Sequence, residues 1–268
     1  MHPTKILRIT SLQAPNQDWI GATLADYLER KLSIPTAFVH APPWQEREQM
    51  LDIGEIDIAW ICGLPYIQRA DQPGAPVELL VAPVMRLARY QDQPVYFSDV
   101  IVRREMPFSS FEDLRGVRWA YNEPNSHSGY NLTRYMLAQL GEFNGYFGSV
   151  IQAGSHQAAL QMLITDQIDA TAIDSTVLEI ELQNQPEVAD QIRTLASWGP
   201  SPIPPWVVQK RLPDRLKTAI REILLGMEAE IEGQRVLASL GLKRFDRVRD
   251  EDYNPIREMF RLAEQVRL

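Results

Sequence analysis

The sequence predicts an α/β fold divided into two lobes, and three observations lead to this prediction. From residue 5 to residue 86, short apolar runs alternate with amphipathic stretches in a β-α-β-α-β order, which is typical of a parallel sheet covered by helices. A second run of the same kind lies between residues 117 and 184. Two extended segments, 95–102 and 192–206, join the runs, and we interpret them as crossings between the lobes.

The first run begins with a strand over residues 5–12 and continues with an amphipathic helix. The residues that share the apolar face of this helix are Ile20, Leu24, Leu28 and Leu32. A short strand at 36–40 precedes a helix over 44–51, which two prolines open. Gly54 ends that helix, and residues 56–61 form the third strand.

The second run contains a strand that alternates aromatic and aliphatic residues, 117–122, and Pro124 stops it. Either Asn125 or Ser126 is suited to cap the helix that follows. The elements of this run are, in order, strand 117–122, helix 126–140, a short strand near 150–151, a helix opened by Ser155 and His156, strand 168–174 and helix 175–184.

The last part of the chain is predicted to be mostly helical, after a stiff proline-rich segment at 199–205. The predicted helices span 213–232, 234–240 and about 253–266. The domain assignment that follows from this order places residues 1–94 and 203–268 in lobe 1. Residues 95–202 form lobe 2.

Composition limits the classes of function. Of 268 residues, 27 are basic and 35 are acidic, so the net charge of −8 argues against a nucleic-acid partner. No apolar run has the length of a bilayer span. The single cysteine, Cys62, excludes an internal disulfide and a cysteine-rich zinc site. The first nine residues lack a charged leader with an apolar core, so we expect either a cytoplasmic chain or a chain whose leader has been removed.

The first turn of the helix at 126–140 is the strongest candidate site. Residues 126–129, Ser-His-Ser-Gly, place two hydroxyls and unpaired backbone N–H groups at a helix start, where anions bind. His156 lies at a second helix start, and Asp174 closes an apolar strand. In open α/β sheets, ligands bind beyond the carboxyl ends of strands, so these residues are candidates to converge on one polar ligand. Tyr96 and Trp60 are core aromatics by default, although one or two aromatics at strand ends are candidates to wall a cleft.

Other kinds of site have less support in the sequence. Ser126, His156 and Asp174 include the residue types of a hydrolase triad, but no Gly-x-Ser-x-Gly elbow holds a nucleophile. His127, His156 and Asp174 do not have the spacing of zinc ligands. Neither a Gly-x-Gly-x-x-Gly motif nor a P-loop is present. We therefore assign no catalytic residue, no metal and no cofactor.

Three ordered motifs resemble the phosphate-, phosphite- and phosphonate-binding proteins of ABC importers. They are LRGVRWAYNEPNSHSGY at 114–130, AGSHQA at 153–158 and DATAIDS at 169–175. The segment GEIDIA at 54–59 and the strand around Tyr96 are also similar to that family. This likeness covers about residues 5 to 240.

The resemblance implies a two-lobed type II periplasmic-binding-protein fold with two hinge strands and Venus-flytrap closure. It implies that Ser126, His127 and Ser128 hold an oxyanion and that Tyr96, His156 and Asp174 complete the site. The family has an aromatic residue after its third strand, and both Trp60 and Cys62 are candidates for that position in this sequence. His127 stands where the family usually has a hydroxyl residue.

The resemblance also implies a function without catalysis, the delivery of a phosphorus oxyanion or phosphonate to the membrane subunit of an ABC transporter. The protein would be a monomer, and it would be periplasmic if a leader was removed. A carboxylate at Asp174 would require a P–OH donor on the ligand, which favours protonated phosphorus oxyanions over sulfate. The alternatives are a cytoplasmic ligand-sensing module or an enzyme on the same fold, since fold alone does not fix function, and a relative with an unrelated small ligand, which His127 favours.

Overall fold

The computed structural model describes residues 6–268, and the chain divides into two compact units. Among the described residues, unit 1 contains 6–95 and 202–253, and unit 2 contains 96–201 and 254–268. The predicted first strand began at residue 5, which lies outside the described residues together with residues 1–4. Between residues 6 and 268, no helix is long and apolar enough to cross a membrane.

Unit 1 is built on a six-stranded sheet whose strand order is β11-β4-β10-β3-β1-β2. The strands are β1 (Leu7–Ser11), β2 (Thr36–Phe38), β3 (Ile58–Trp60), β4 (Val77–Met85), β10 (Trp206–Gln209) and β11 (Leu242–Asp246). The helices are α1 (Asp18–Leu32), α2 (Trp44–Asp52), α3 (Gly63–Ala70), α8 (Asp214–Leu225) and α9 (Ile231–Ser239).

The sheet of unit 1 is mixed, and the prediction of a parallel sheet was wrong for its second half. β1 pairs in parallel with β2 and β3, as the alternation of strands and helices predicts. β10 runs antiparallel between β3 and β4, and β11 pairs antiparallel with β4. These two strands come from the part of the chain that returns to unit 1 after residue 201. No local pattern in the first run indicates that a distant strand will enter its centre.

Unit 2 has a five-stranded sheet whose strand order is β7-β6-β8-β5-β9. The strands are β5 (Val95–Arg103), β6 (Arg118–Tyr121), β7 (Ser149–Gln152), β8 (Ala170–Asp174) and β9 (Ile192–Pro202). The helices are α4 (Leu132–Gln139), α5 (His156–Ile164), α6 (Ser175–Asn184), α7 (Pro186–Gln191) and α10 (Asn254–Ala263). β6 runs parallel to β7 and β8, whereas β5 runs antiparallel to β8.

Two predictions about the C-terminal third were wrong. The predicted helix over 213–232 ends at Leu225, and a 3₁₀ turn at Gly226–Ala229 separates it from the next helix. Gly226 stands at the break, where its low helix propensity favours an end. Residues 254–268 belong to unit 2 and not to lobe 1. Val266 is buried in the unit 2 core, and the Arg134 guanidinium donates to its carbonyl at 2.8 Å.

The core of unit 2 is organised around Trp119, whose side chain is fully buried in β6. Its ring stacks on Phe147 with the centroids 4.6 Å apart, and Phe111 meets it edge-on at 6.3 Å. The indole Nε1 is buried and has no hydrogen-bond partner among the described residues. Trp119 therefore contributes packing and does not hold the fold through a hydrogen bond. This packing fixes β6, whose last residues lead directly into the segment with the candidate site.

We expect the two substitutions Trp119→Ala and Trp119→Phe to differ strongly. The alanine leaves a large cavity and should lower the free energy of unfolding by about 3–5 kcal/mol. The phenylalanine keeps an aromatic ring against Phe147 and removes a buried donor that lacks a partner, so its cost should be below about 1.5 kcal/mol. Chemical denaturation of both variants measures the difference. Equal losses would contradict this account of the core.

Candidate functional site

The segment after β6 forms the candidate site in unit 2. Ser126 caps the turn His127–Asn131, and its Oγ accepts a hydrogen bond from the Gly129 N–H at 3.1 Å. This turn has π-helical hydrogen bonding and continues into α4. Of the two caps that the sequence allowed, the structure has Ser126. The first turn of a helix is a common place for an anion to bind, because its N–H groups lack acceptors within the helix. In this turn the N–H of Gly129 is bonded to Ser126 Oγ, and the N–H of Asn131 donates to the Ser126 carbonyl at 3.0 Å.

Ser128 joins Ser126 and His156 in one cluster of hydrogen-bonding side chains. Its Oγ lies 3.4 Å from Ser126 Oγ and 3.2 Å from His156 Nε2. The three residues are almost fully buried, with exposed fractions of 7, 2 and 6%. The other ring nitrogen of His156, Nδ1, is buried and has no hydrogen-bond partner among the described residues. A buried polar atom of this kind indicates a place for a ligand atom or a water.

Burial also sets the charge of His156. Desolvation lowers the pKa of this imidazole to about 3, because the protein interior disfavours the charged form. The ring is therefore neutral at pH 7. Within the hydrogen bonds described for this cluster, the partners are serine hydroxyls, a histidine, an amide and backbone groups, and none is a lysine or arginine. The cluster is thus an uncharged set of hydrogen-bonding groups.

His127 has a different environment from its two serine neighbours. Its Nδ1 lies 3.1 Å from Asn131 Nδ2, and its Nε2 lies 3.2 Å from Ser201 Oγ. The ring is fully buried, and desolvation lowers its pKa to about 3. The Tyr96 ring lies 6.4 Å away between centroids. Both nitrogens of His127 are thus occupied by groups of unit 2 itself.

Asp174 lies at the end of β8, where its carboxylate caps α6. Its Oδ1 accepts from the Thr176 N–H at 2.8 Å and from the Thr176 hydroxyl at 2.7 Å. Its partner across the sheet is Ser98, and the Ser98 hydroxyl donates to the Ser128 carbonyl at 2.9 Å. Desolvation raises the pKa of Asp174 to about 6, against the opposing effect of its hydrogen bonds. Ser98 of β5 is thus the sheet neighbour of Asp174 and also bonds to the backbone of Ser128.

Trp60 belongs to unit 1 and is part of its core. Its ring stacks on Trp206 with the centroids 5.7 Å apart, and its Nε1 donates to the Pro204 carbonyl at 2.9 Å. The other predicted site residues all belong to unit 2. They are Tyr96, Ser126, His127, Ser128, His156 and Asp174. The direct hydrogen bonds join Ser126, Ser128 and His156.

Two residues that the sequence analysis did not single out contribute to the cluster. The Asn122 amide nitrogen lies 3.2 Å from His156 Nε2. Gly129 allows this approach, because a Cβ at position 129 would lie 2.1 Å from Asn122 Oδ1 and 3.2 Å from His156 Cε1. The position of Asn122 directly after a buried strand was the available signal, since polar residues there commonly face a ligand.

The shifted pKa values predict how stability depends on pH. His156 stays neutral in the folded state, so its contribution is present above pH 6.5 and is lost as the pH falls from 6.5 toward about 3. Asp174 has the opposite sign. Its contribution is present below its unfolded pKa of 3.8 and is lost as the pH rises through about 6. Each group changes the slope by up to about 1.4 kcal/mol per pH unit.

We therefore expect His156→Gln and Asp174→Asn to change the pH dependence in opposite directions. Between pH 4 and 6, the first variant should flatten the rise of unfolding free energy with pH, and the second should steepen it. Chemical denaturation at pH 4, 5 and 6 gives the slopes. The same slope in the wild-type protein and both variants would show that neither group has a shifted pKa.

Comparison of the sequence with known proteins identifies one family and several relatives. The model of one protein family, described as ABC transporter, phosphonate, periplasmic substrate-binding protein, matches residues 20–253. The phosphonates-binding periplasmic protein of Escherichia coli (strain K12) is 23% identical, and the match covers 87% of this chain and 68% of that protein. The probable ABC transporter phosphite binding protein PhnD1 of Prochlorococcus marinus (strain MIT 9301) is 21% identical over 98% of this chain and 91% of the relative.

A solved structure of PhnD1 from Prochlorococcus marinus, in complex with methylphosphonate, superimposes with a TM-score of 0.82. The sequences are 19% identical, and the match covers 98% of this chain and 100% of the other. This likeness shows the type II periplasmic-binding-protein fold. The family consists of substrate-binding components of transporters and not of enzymes. Because the family model spans most of the sequence, the chain belongs to the periplasmic phosphonate substrate-binding proteins of ABC transporters.

Proposed function

We propose that this protein binds a small phosphorus oxyanion, either a phosphonate or an inorganic anion such as phosphite, and delivers it to an ABC transporter. The observation that carries the proposal is the buried Nδ1 of His156, which has no partner among the described residues and lies in one cluster with the hydroxyls of Ser126 and Ser128. The ligands named for one relative support it, since PhnD1 is called a probable phosphite binding protein and its solved structure is a complex with methylphosphonate.

The proposed ligand set follows from which groups have hydrogen-bonding capacity to offer. Ser126, Ser128 and His156 supply hydroxyl and imidazole groups beside the N–H groups of the first turn. A tetrahedral oxyanion is held well by such neutral donors, since hydrogen bonds to an ionised acceptor are about twice as strong as neutral ones. An anion site without a cation is thus compatible with a chain of net charge −8.

Asp174 and Tyr96 are proposed to complete this set. The Asp174 carboxyl group accepts from Thr176 and from the Val177 N–H. An ionised carboxylate has about four acceptor positions, so it can also accept from a P–OH group, whereas a fully deprotonated anion offers it no donor. His127 and Trp60 are proposed to support the site without touching the ligand, because their polar atoms already bond within their own units.

The proposed partner is the membrane subunit of the transporter, and the proposed location is the periplasm, where the family acts. We propose that the protein acts as a monomer. Size-exclusion chromatography with light scattering, in the presence and absence of ligand, measures the oligomeric state.

We expect thermal melts to identify the ligand class. A compound that binds only the folded protein stabilises it by about 2.7 kcal/mol at a hundredfold excess over its Kd. Phosphate, phosphite, methylphosphonate, 2-aminoethylphosphonate and sulfate are compared at matched ionic strength. At least one phosphorus compound should raise the melting temperature more than sulfate, because its P–OH group can donate a hydrogen bond to Asp174. If none of the five moves the melt, the proposed function is wrong.

Three variants test the ligand set directly. Ser128→Ala should weaken every oxyanion that binds, and the matched control Ser149→Ala, at an exposed serine of β7 in the same unit, should not. Asp174→Asn should narrow the difference between phosphorus compounds and sulfate, since an amide can donate as well as accept. Isothermal titration gives the affinities, and equal losses for Ser128→Ala and Ser149→Ala would exclude the cluster as the site.

A further inference from the structure

Two side chains lie within hydrogen-bond distance of the single lone pair that Nε2 of His156 can offer. The amide nitrogen of Asn122 and the hydroxyl of Ser128 both lie 3.2 Å from this atom. An amide nitrogen can only donate, so Nε2 must be unprotonated if the Asn122 bond is made. A neutral imidazole carries one proton, and this proton is then on Nδ1.

The orientation of the Asn122 amide is set by what lies on its other side. Its Oδ1 is buried without a hydrogen-bond partner among the described residues. This oxygen faces Gly129, at 2.1 Å from where a Cβ would stand, and such a contact suits an oxygen against a Cα–H group. A reversed amide would press its NH₂ group against the same Cα. The backbone of Asn122 is also held, because its carbonyl accepts from the Gly154 N–H at 2.9 Å, two residues before His156. The side chain thus has a fixed position relative to the imidazole.

The bond from Asn122 has a consequence for Ser128 as well. If Nε2 accepts a hydrogen bond from the Asn122 amide, the Ser128 hydroxyl does not have to donate to the ring and can donate elsewhere. Without Asn122, the hydroxyl would be the only described donor to Nε2. One amide therefore determines the direction of two donors in the cluster.

We infer that Asn122 is a positioning and specificity-determining residue, which holds the proton of His156 on Nδ1 so that the ring and the Ser128 hydroxyl both donate to an unprotonated oxygen of the ligand. The ligand oxygen at this position must be an acceptor, so a P–OH group has to face elsewhere in the site. The position of the proton is a property of the protein alone, whereas its effect on affinity rests on the proposed function.

His127 provides an internal comparison with the opposite arrangement. Asn131 Nδ2 lies 3.1 Å from its Nδ1, and Ser201 Oγ lies 3.2 Å from its Nε2. By the same reasoning the proton of His127 is on Nε2. Two buried neutral histidines in one unit thus carry their protons on different nitrogens. In each ring the proton is on the nitrogen that the asparagine does not contact.

The test is a long-range ¹H–¹⁵N correlation spectrum of the ligand-free protein at pH 7, which reports the protonation of each ring nitrogen. His156 should show a protonated Nδ1 and a bare Nε2, and His127 should show the reverse. Asn122→Ala should shift the His156 proton toward Nε2 and leave His127 unchanged. Asn131→Ala is the matched control. It should shift the His127 proton toward Nδ1 and leave His156 unchanged. A proton on Nε2 of His156 in the wild-type protein would overturn the inference.

Asn122→Asp keeps the shape of the side chain and guards against a fold that does not survive the alanine. A carboxylate can only accept, so Nε2 of His156 should gain a proton in this variant. If Nε2 stays bare in a folded Asn122→Asp protein, the inference is wrong.

Affinity for methylphosphonate and phosphite is measured by isothermal titration. Asn122→Ala should weaken binding by about tenfold, the size of one net hydrogen bond, whereas Asn131→Ala should not. An unchanged affinity in Asn122→Ala would overturn the specificity role. If neither compound binds the wild-type protein, the proposed function fails, while the spectrum still decides where the proton is.

Discussion

The interior of unit 2 has to hold two histidines without charge, and much of the local structure follows from this constraint. A buried imidazole loses its hydration, so each ring nitrogen needs a partner of the right kind. For His127 both partners belong to unit 2, Asn131 and Ser201. For His156 only Nε2 is served, by Asn122 and Ser128. His127 therefore has both ring nitrogens bonded within unit 2, whereas Nδ1 of His156 has no partner among the described residues and is the atom that we propose meets a ligand.

In the proposed site, the same constraint would explain how an acidic protein holds an anion. A cationic site would attract anions from a distance, but it would also accept any anion of similar size. Neutral donors in a buried cluster select ligands by the positions of their acceptor atoms, because each donor requires an acceptor in line with its own hydrogen bond. In the proposed site, the ionised carboxylate of Asp174 would only accept hydrogen bonds, so a ligand oxygen that faces it would have to carry a proton. Recognition would then depend on the pattern of protons more than on total charge.

Local rules were enough to predict much of this unit from the sequence. The strand before the site, the cap at Ser126 and the helix start at His156 follow from alternation and capping preferences within a few residues. What could not be predicted depends on residues far apart in the chain. Ser201 reaches His127 across 74 positions, and β10 enters the sheet of unit 1 from beyond residue 205. Asn122 was missed because its role depends on the space that Gly129 leaves. The break at Gly226 shows that helical spacing of apolar residues does not exclude a turn.

The division of the chain has a consequence for biosynthesis. The chain passes from one unit to the other three times, and unit 2 takes its last part, residues 254–268, from beyond the whole second part of unit 1. Val266 is buried against the aromatic core that contains Trp119. On the ribosome, residues 96–201 therefore emerge with this core open, and it closes only after about fifty further residues of the other unit have been made. A nascent chain in this state exposes apolar surface that the finished protein hides, which is the condition that chaperones recognise. Unit 2 is thus completed only when its last segment has been synthesised, although most of its residues are made before the second part of unit 1.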